Sequence, residues 1–310
     1  MPPTPRIPAV FHFVYGLREQ DAPFPLHHHL CLASCRAVNP GARVVVHLHH
    51  RPWGPWWDRI AASVEVRQLD PAALGQGLEG ADPAHEPYRH AHLSDFVRLE
   101  ILMAEGGYYA DIDSIFVRPA PHEWSAAPAI MGHELPPHGA AGSLCNAWIA
   151  AQAGSAFITE WRRRMPAAFD GSWSNHSTLL PYRLSVEMPE AVRVEAETRF
   201  FALDYTRAGL ADLFDRRVGL PPDAVSLHLW EHLWHARERV DFTTFHAGLL
   251  TPDYVAFADT TYAHLARPHL PPDVVVSRVR FLAQQASRRR QDARLRLQAA
   301  RARLTGQSRP

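Results

Sequence analysis

The segment HLSDFVRLEILMAEGGYYADIDSIFVRP, from His92 to Pro119, decides how the chain folds around it. Leu93, Phe96, Val97, Ile101 and Ala104 recur at spacings of three and four, which predicts a helix with one apolar face. Asp95 and Arg98 are three apart and share another side of that helix. Gly106 and Gly107 predict its end, because the residue after a last turn commonly needs positive φ. From Tyr108 the pattern predicts an extended run through Asp111-Ile112-Asp113 to Val117. Residues two apart in a strand point the same way, so Asp111 and Asp113 are expected on one side, with Ile112 in the core. Two hard oxygen ligands this close suit Mg²⁺ or Mn²⁺, while two solvated acids in a turn are the plain alternative. This is the one D-x-D in the sequence.

Outward from this block the chain alternates. Ile7–Tyr15, Arg43–His49 and Val64–Leu69 read as strands, and Leu26–Val38 and Pro52–Ala62 as helices. Strand, helix, strand, helix, strand predicts a parallel α/β sheet, whose ligands bind beyond the carboxyl ends of the strands. Asp70–Tyr88 reads as a long loop. Ala129–His133 and Leu144–Gln152 are expected strands, Ser155–Phe169 and Ser177–Val186 helices, and Ala224–Trp230 a late strand. Beyond Val240 the patterns weaken, a Pro-rich hinge is expected at 268–272, and Val276–Leu304 reads as an Arg-rich helix.

The whole is 310 residues, enough for one large domain with an appendage. Acids and bases balance at 32 each, so no global field points to nucleic acid. Every basic residue other than histidine is Arg. Three Cys, two of them four apart in a helix, and no secretory signal fit a reducing compartment, and the expected address is cytoplasmic.

Ser94-Asp95-x-x-Arg98, Gly106-Gly107-x-Tyr109-x-Asp111-x-Asp113 and Pro119, in one register, resemble the DXD sugar-binding region of family 32 glycosyltransferases and of glucosylating clostridial toxins. The resemblance implies a GT-A-like (Rossmann-like) α/β domain with a mostly parallel central sheet, expected over residues 5–240. A C-terminal helical appendage is expected over 241–310. It implies a metal-dependent, retaining hexosyltransferase that uses a UDP-sugar in preference to a GDP-sugar, with Mn²⁺ or Mg²⁺ as cofactor. The acceptor would be a glycan, a glycolipid or another hydroxyl compound, as in polysaccharide biosynthesis.

By the same resemblance Asp113 ligates the metal, Asp111 contacts ribose and either metal-bound water or the metal itself, Asp95 meets sugar hydroxyls, and Arg98 holds sugar and diphosphate. Arg98 and Asp113 are the expected catalytic residues, since metal and guanidinium together offset charge on the leaving group. Tyr15, closing the strand FHFVYG, takes the place of an aromatic that stacks on the nucleotide base. Asn146 is expected beside the donor sugar. Each has a plain alternative: a half-buried strand aromatic, a turn amide, an intrahelical ion pair.

His228-Leu-Trp-Glu-His232 admits two readings. H-x-W near the end of the domain resembles a segment of family 32 α-galactosyltransferases in which the His completes the metal sphere and the Trp, here Trp230, lines the site. H-x-x-E-H, with Glu231, is also the pattern of a zinc hydrolase, if both His share one face of a helix. A non-catalytic sugar-nucleotide-binding module is the third possibility for the chain. Finally, the Arg-rich tail, with Leu295, Leu297 and Leu304, is expected either to lie peripherally on anionic lipid at the inner face of a membrane or to be a solvated helix.

Overall fold

The computed structural model describes residues 6–70, 89–235 and 242–304. They form two compact units, Met1–Ala202 with Leu220–His228, and Leu203–Gly219 with Leu229–Pro310. The second therefore takes in segments upstream of the appendage expected from residue 241.

The first unit is built on β1 (Val10–Tyr15), α1 (Leu26–Val38), β2 (Arg43–Leu48), α2 (Pro55–Ile60), β3 (Glu65–Gln68), α3 (Arg89–Glu105), β4 (Gly107–Ala110) and β5 (Ser114–Phe116). It continues with β6 (Ala129–His133), β7 (Leu144–Ala151), α4 (Ala156–Ala168), a π-helical turn Asn175–Leu179, α5 (Leu180–Glu187), β8 (Arg193–Glu195) and β9 (Ser226–His228). Seven strands make one sheet in the order β3-β2-β1-β4-β7-β6-β8, and β5 pairs with β9 in a separate two-stranded sheet. Of the seven, β7 alone runs against its neighbours. The expected mostly parallel central sheet of an α/β domain is present.

The strand sequences explain the order. VFHFVY and RVVVHL are buried almost throughout, as strands covered on both faces must be. EVRQ of β3 is charged and largely exposed, which blunts the sheet edge. One core brings together Phe96, Val97 and Leu102 of α3, Ile149 of β7, and Phe157 and Trp161 of α4. Inside the sheet, His12 Nδ1 lies 3.0 Å from His47 Nε2, and His12 Nε2 lies 3.0 Å from the Gly106 carbonyl. Burial holds both imidazoles below their usual range, His47 down to about 4.

Two glycines set where β4 leaves α3. Gly106 has φ 65° and Gly107 φ 106°. A Cβ on Gly107 would stand 2.7 Å from the Val10 carbonyl oxygen, so the crossing of β4 against β1 needs a bare backbone there.

The second unit is helical: α6 (Arg207–Phe214), a 3₁₀ turn Glu231–His235, α7 (Thr244–Ala247), α8 (Pro252–Phe257), α9 (Thr261–Ala266) and α10 (Arg278–Leu304). Phe214 stacks on Phe242 at 4.3 Å and meets Trp234 and Tyr262, which gathers these segments around one aromatic core. The short helices after residue 240 open on threonines. Thr251 and Thr260 accept bonds from Tyr254 N and Ala263 N, and Thr243 forms a capping box with His246. Asp70 apart, the loop expected over 70–88 lies outside the described residues. Among the described residues no helix is long and apolar enough to cross a membrane.

Candidate active site

The carboxyl ends of β1 and β4 lie side by side, because Phe11 and His12 pair with Tyr108 and Tyr109. Tyr15 ends β1 and Asp111 follows β4. The extended run predicted through Asp111–Asp113 is instead broken: residues 111–113 form a bend, and β5 departs to pair with β9. Alternation is therefore not what aligns the two carboxylates. The pairing Ser114–His228 brings a third side chain to them. His228 Nε2 stands 3.1 Å from Asp113 Oδ1 and 3.9 Å from Asp111 Oδ2. Ile112 is buried, as expected.

Behind the pair, Arg98 is almost wholly enclosed. Its Nη1 lies 3.1 Å from Asp111 Oδ1 and donates to the Asn146 carbonyl at 2.7 Å. Its Nη2 lies 3.0 Å from Asp95 Oδ1 and 3.3 Å from Ser94 Oγ, and its Nε donates to the Ser94 carbonyl at 3.1 Å. The guanidinium also sits 4.6 Å from the centre of the Tyr109 ring, whose hydroxyl donates to Asp111 Oδ1 at 2.7 Å. The fork expected to grip a diphosphate is thus engaged with protein acceptors in this structure, and it fixes Asp111 with Oδ2 turned to His228.

Asp95, expected to meet sugar hydroxyls, is likewise held from several sides. Asn146 Nδ2 donates to its Oδ1 at 2.7 Å, and His176 Nε2 lies 3.0 Å from its Oδ2. Asn146 therefore serves both members of the Asp95–Arg98 pair, one through its side chain and one through its carbonyl.

The electrostatics follow from burial and charge. Burial pushes the Asp111 carboxyl up, against the pull of Arg98 and His228. Burial also favours a neutral Asp95, but Arg98 and the two nearby imidazoles win and hold it well below the usual carboxylate range. For Arg98 the desolvation is outweighed by Asp111, Tyr109 and Asp95, which keep it firmly charged. His228 is raised, since the attraction of Asp113 and Asp111 exceeds its desolvation. Three carboxylates share one guanidinium here, which leaves the His228 side of the site short of positive charge.

A divalent ion fits that deficit. Asp111, Asp113 and His228 offer ligand atoms all within 4.8 Å of one another. Six ligands at roughly 2.1 Å place neighbouring donors ~3 Å and opposed donors ~4.2 Å apart, the range in which the separations of 3.1 and 3.9 Å fall. Oxygen ligands with one imidazole suit Mn²⁺ or Mg²⁺, and no thiolate takes part.

The remaining expected residues divide. Tyr15 donates its hydroxyl to Gln20 Oε1 at 2.8 Å, and its ring meets Phe24 and His28 edge-on. Trp230 belongs to the second unit, where its Nε1 donates to the Leu203 carbonyl at 2.9 Å; its φ of 60° is the one positive value on a described non-glycine residue. The zinc-hydrolase reading is not supported by the backbone. His228 closes β9 and Glu231–His235 is a separate 3₁₀ turn, so no helix carries His228 and His232 on one face.

Two contributors escaped the sequence reading. His176 sits in the π-helical turn and is fully buried against Asp95, although its segment resembles no motif. Glu134, after β6, accepts from Ser143 Oγ at 2.6 Å, is pushed up by burial, and feels the charge of His228. Tyr109 carried a usable signal, being two residues before Asp111 in an extended run.

Parts of the chain are similar to known proteins. Residues 25–131 match the family model described as glycosyltransferase sugar-binding region containing DXD motif. "Glucan organizing enzyme 1" of Cryptococcus neoformans var. grubii is 30% identical over 206 residues, covering 63% of this chain and 54% of that protein. The chain thus spans about half the length of the curated relative it matches. Among solved structures, "PaToxG Glycosyltransferase" is similar with a TM-score of 0.41 and 16% identity over 60% of this chain and 72% of that one. The UDP-bound glycosyltransferase domain from the YGT toxin gives a TM-score of 0.36 and 10% identity, covering 53% and 62%. What these comparisons establish is a match to a glycosyltransferase sugar-binding region with a DXD motif over residues 25–131.

Proposed function

We propose that the chain transfers a hexose from a nucleotide-diphosphate sugar to a hydroxyl acceptor, with Mn²⁺ or Mg²⁺ held by Asp111, Asp113 and His228. The observation that carries this is the meeting of Asp111, Asp113 and His228, from a bend after β4 and the end of β9, beside a buried Arg98–Asp95 pair. Bound there, the ion would offset the charge that grows on the diphosphate as the sugar leaves. Asp111, Asp113 and His228 supply the ligand atoms, and Arg98 and Tyr109 fix the orientation of Asp111. Tyr15, at the neighbouring strand end, is read by resemblance as the residue that stacks on the base.

UDP-sugars are the favoured donors, and retention of the anomeric configuration is the expected outcome; both rest on the motif resemblance. The acceptor is read as a glycan or a lipid-linked glycan, consistent with a role in polysaccharide assembly. Three buried free cysteines support a reducing, cytoplasmic address.

The test is hydrolysis of a panel of UDP- and GDP-sugars with and without Mn²⁺, for the wild type and for Asp113→Asn, with calorimetric titration of Mn²⁺ and donor. Metal-dependent turnover that Asp113→Asn lowers at least a hundredfold is expected. Donor binding without turnover would leave only a sugar-nucleotide-binding module, and unchanged turnover in the variant would remove the metal assignment.

A further inference from the structure

Helix α10 is packed on one side only. Arg280 pairs with Asp253 at 2.7 Å, Arg288 with Asp215, and Asp292 accepts from His246 at 2.9 Å, while Phe281 meets Phe257. These positions, with Gln284, which accepts from Thr251, fall on one face of the helix. Leu295 is partly buried, so the apolar stripe expected at Leu295, Leu297 and Leu304 is not what the helix presents to solvent; the Leu304 side chain lies outside the described residues.

What it presents is better organised. Val279 is 77% exposed, Leu282 56% and Leu297 62%. With the exposed Ala286 and Ala293 they are spaced by three, four, seven and four residues, the repeat of a single helical face. Exposed arginines border this stripe on both sides: Arg278, Arg289 and Arg296 at spacings of eleven and seven, and Arg290 and Arg294 four apart. The one acid in the helix, Asp292, is turned inward to His246. An apolar stripe between two rows of arginine, with no acid on the face, runs along a helix about 40 Å long.

We propose that this face of α10 docks on an anionic lipid bilayer, with the helix parallel to the surface. Arginines at the border of the stripe reach headgroup phosphates and carboxylates, while Val279, Leu282 and Leu297 enter the acyl boundary. A nucleic-acid backbone would satisfy the arginines equally well but gives nothing to three exposed aliphatic side chains, and for that reason lipid is the favoured occupant. The inference stands on the second unit alone and does not depend on which donor the first unit takes.

The test uses the full chain with vesicles of phosphatidylcholine, alone or with about 30% phosphatidylserine. Two variants separate the contributions: Arg289→Gln with Arg290→Gln and Arg294→Gln, and Val279→Asn with Leu282→Asn and Leu297→Asn, which leaves the charge unchanged. All six positions are solvent-facing, so both variants should keep the wild-type thermal transition. The wild type is expected to sediment with the anionic vesicles, not with the neutral ones, and to be released near 0.5 M salt, roughly as the Debye length shrinks. The glutamine variant should lose partitioning by about a hundredfold, and the asparagine variant by at least about tenfold. Equal binding to neutral vesicles, wild-type binding by either variant, or displacement by a short DNA duplex that the asparagine variant still binds would each overturn the proposal.

Discussion

Replacing Arg98 by Lys keeps the charge and removes the fork, and the structure gives the expected loss. The guanidinium makes five polar contacts, to the Ser94 carbonyl and hydroxyl, the Asn146 carbonyl, Asp95 and Asp111, and it lies over the Tyr109 ring. An ammonium has three N–H donors at one point on a shorter, unbranched side chain, so at least two of those acceptors go unmet in a site from which water is largely excluded. Each buried unmet acceptor costs about 1–2 kcal/mol, and the lost ring contact about 1 more, for roughly 3–5 kcal/mol in all. Arg98→Ala leaves Asp95 and Asp111 without their shared counter-charge, a similar penalty of about 3–5 kcal/mol. At about 2 °C per kcal/mol for a chain of this size, both variants should melt some 6–10 °C lower. Turnover should fall at least tenfold in both, because Asp111 is no longer held with Oδ2 toward His228. The measurements are a calorimetric melt and steady-state donor hydrolysis at saturating Mn²⁺. If Lys keeps the wild-type melting temperature within 1 °C and most of the rate, then positive charge alone suffices and the positioning argument is wrong.

The other expectations concern separate parts of the molecule. His228→Ala should weaken Mn²⁺ binding at least tenfold while His232→Ala leaves it unchanged; equal losses of bound metal in both, by elemental analysis, would restore the H-x-x-E-H reading. Gly107→Ala should destabilise the first unit by about 2–4 kcal/mol, since φ of 106° is strained for any L side chain and the new Cβ would press on the Val10 carbonyl; a melt within 2 °C of wild type would show that the crossing can yield. His47 gives a pH signature. Its folded value of about 4, against about 6.5 unfolded, means that the unfolded chain binds the extra proton, so stability is intact above pH 6.5 and falls as pH drops toward 4, by up to about 3 kcal/mol. His47→Gln should flatten that part of the denaturant-unfolding profile, and an unchanged slope would mean that the His12–His47 contact does not hold both rings neutral.

How much of this was legible in the sequence depends on the range of the interactions involved. Helix α3, its glycine stop and the order of β1, α1, β2, α2 and β3 depend on local periodicity and turn chemistry, and they stand where the pattern put them to within a few residues. The short helices α7, α8 and α9 were also written locally, in Thr243, Thr251 and Thr260, but at four to six residues they are too short for periodicity to register. The division of the chain could not be read this way. Phe214 and Trp234 look like ordinary core residues of the first domain until Phe242 and Tyr262 are seen to close around Phe214.

The site shows the same limit more sharply. D-x-D seemed to place its carboxylates by strand alternation, yet the backbone bends between them, and their convergence is a tertiary event. Ser114–His228 pairing brings His228 across 115 residues of sequence to Asp113, and no spacing rule carries that information. The bend has a purpose that alternation could not serve. A continuous strand would aim both carboxylates along one normal of the sheet, with Arg98 free to neutralise either. Breaking at Ala110 lets Asp111 stay against Arg98 and Tyr109 through Oδ1 while Oδ2 and Asp113 Oδ1 face His228. One carboxylate is thereby shared between a fixed cation and an open ligand position, and the other is left to the imidazole. That asymmetry keeps the excess negative charge on the His228 side, where a divalent ion and the diphosphate it accompanies would be received.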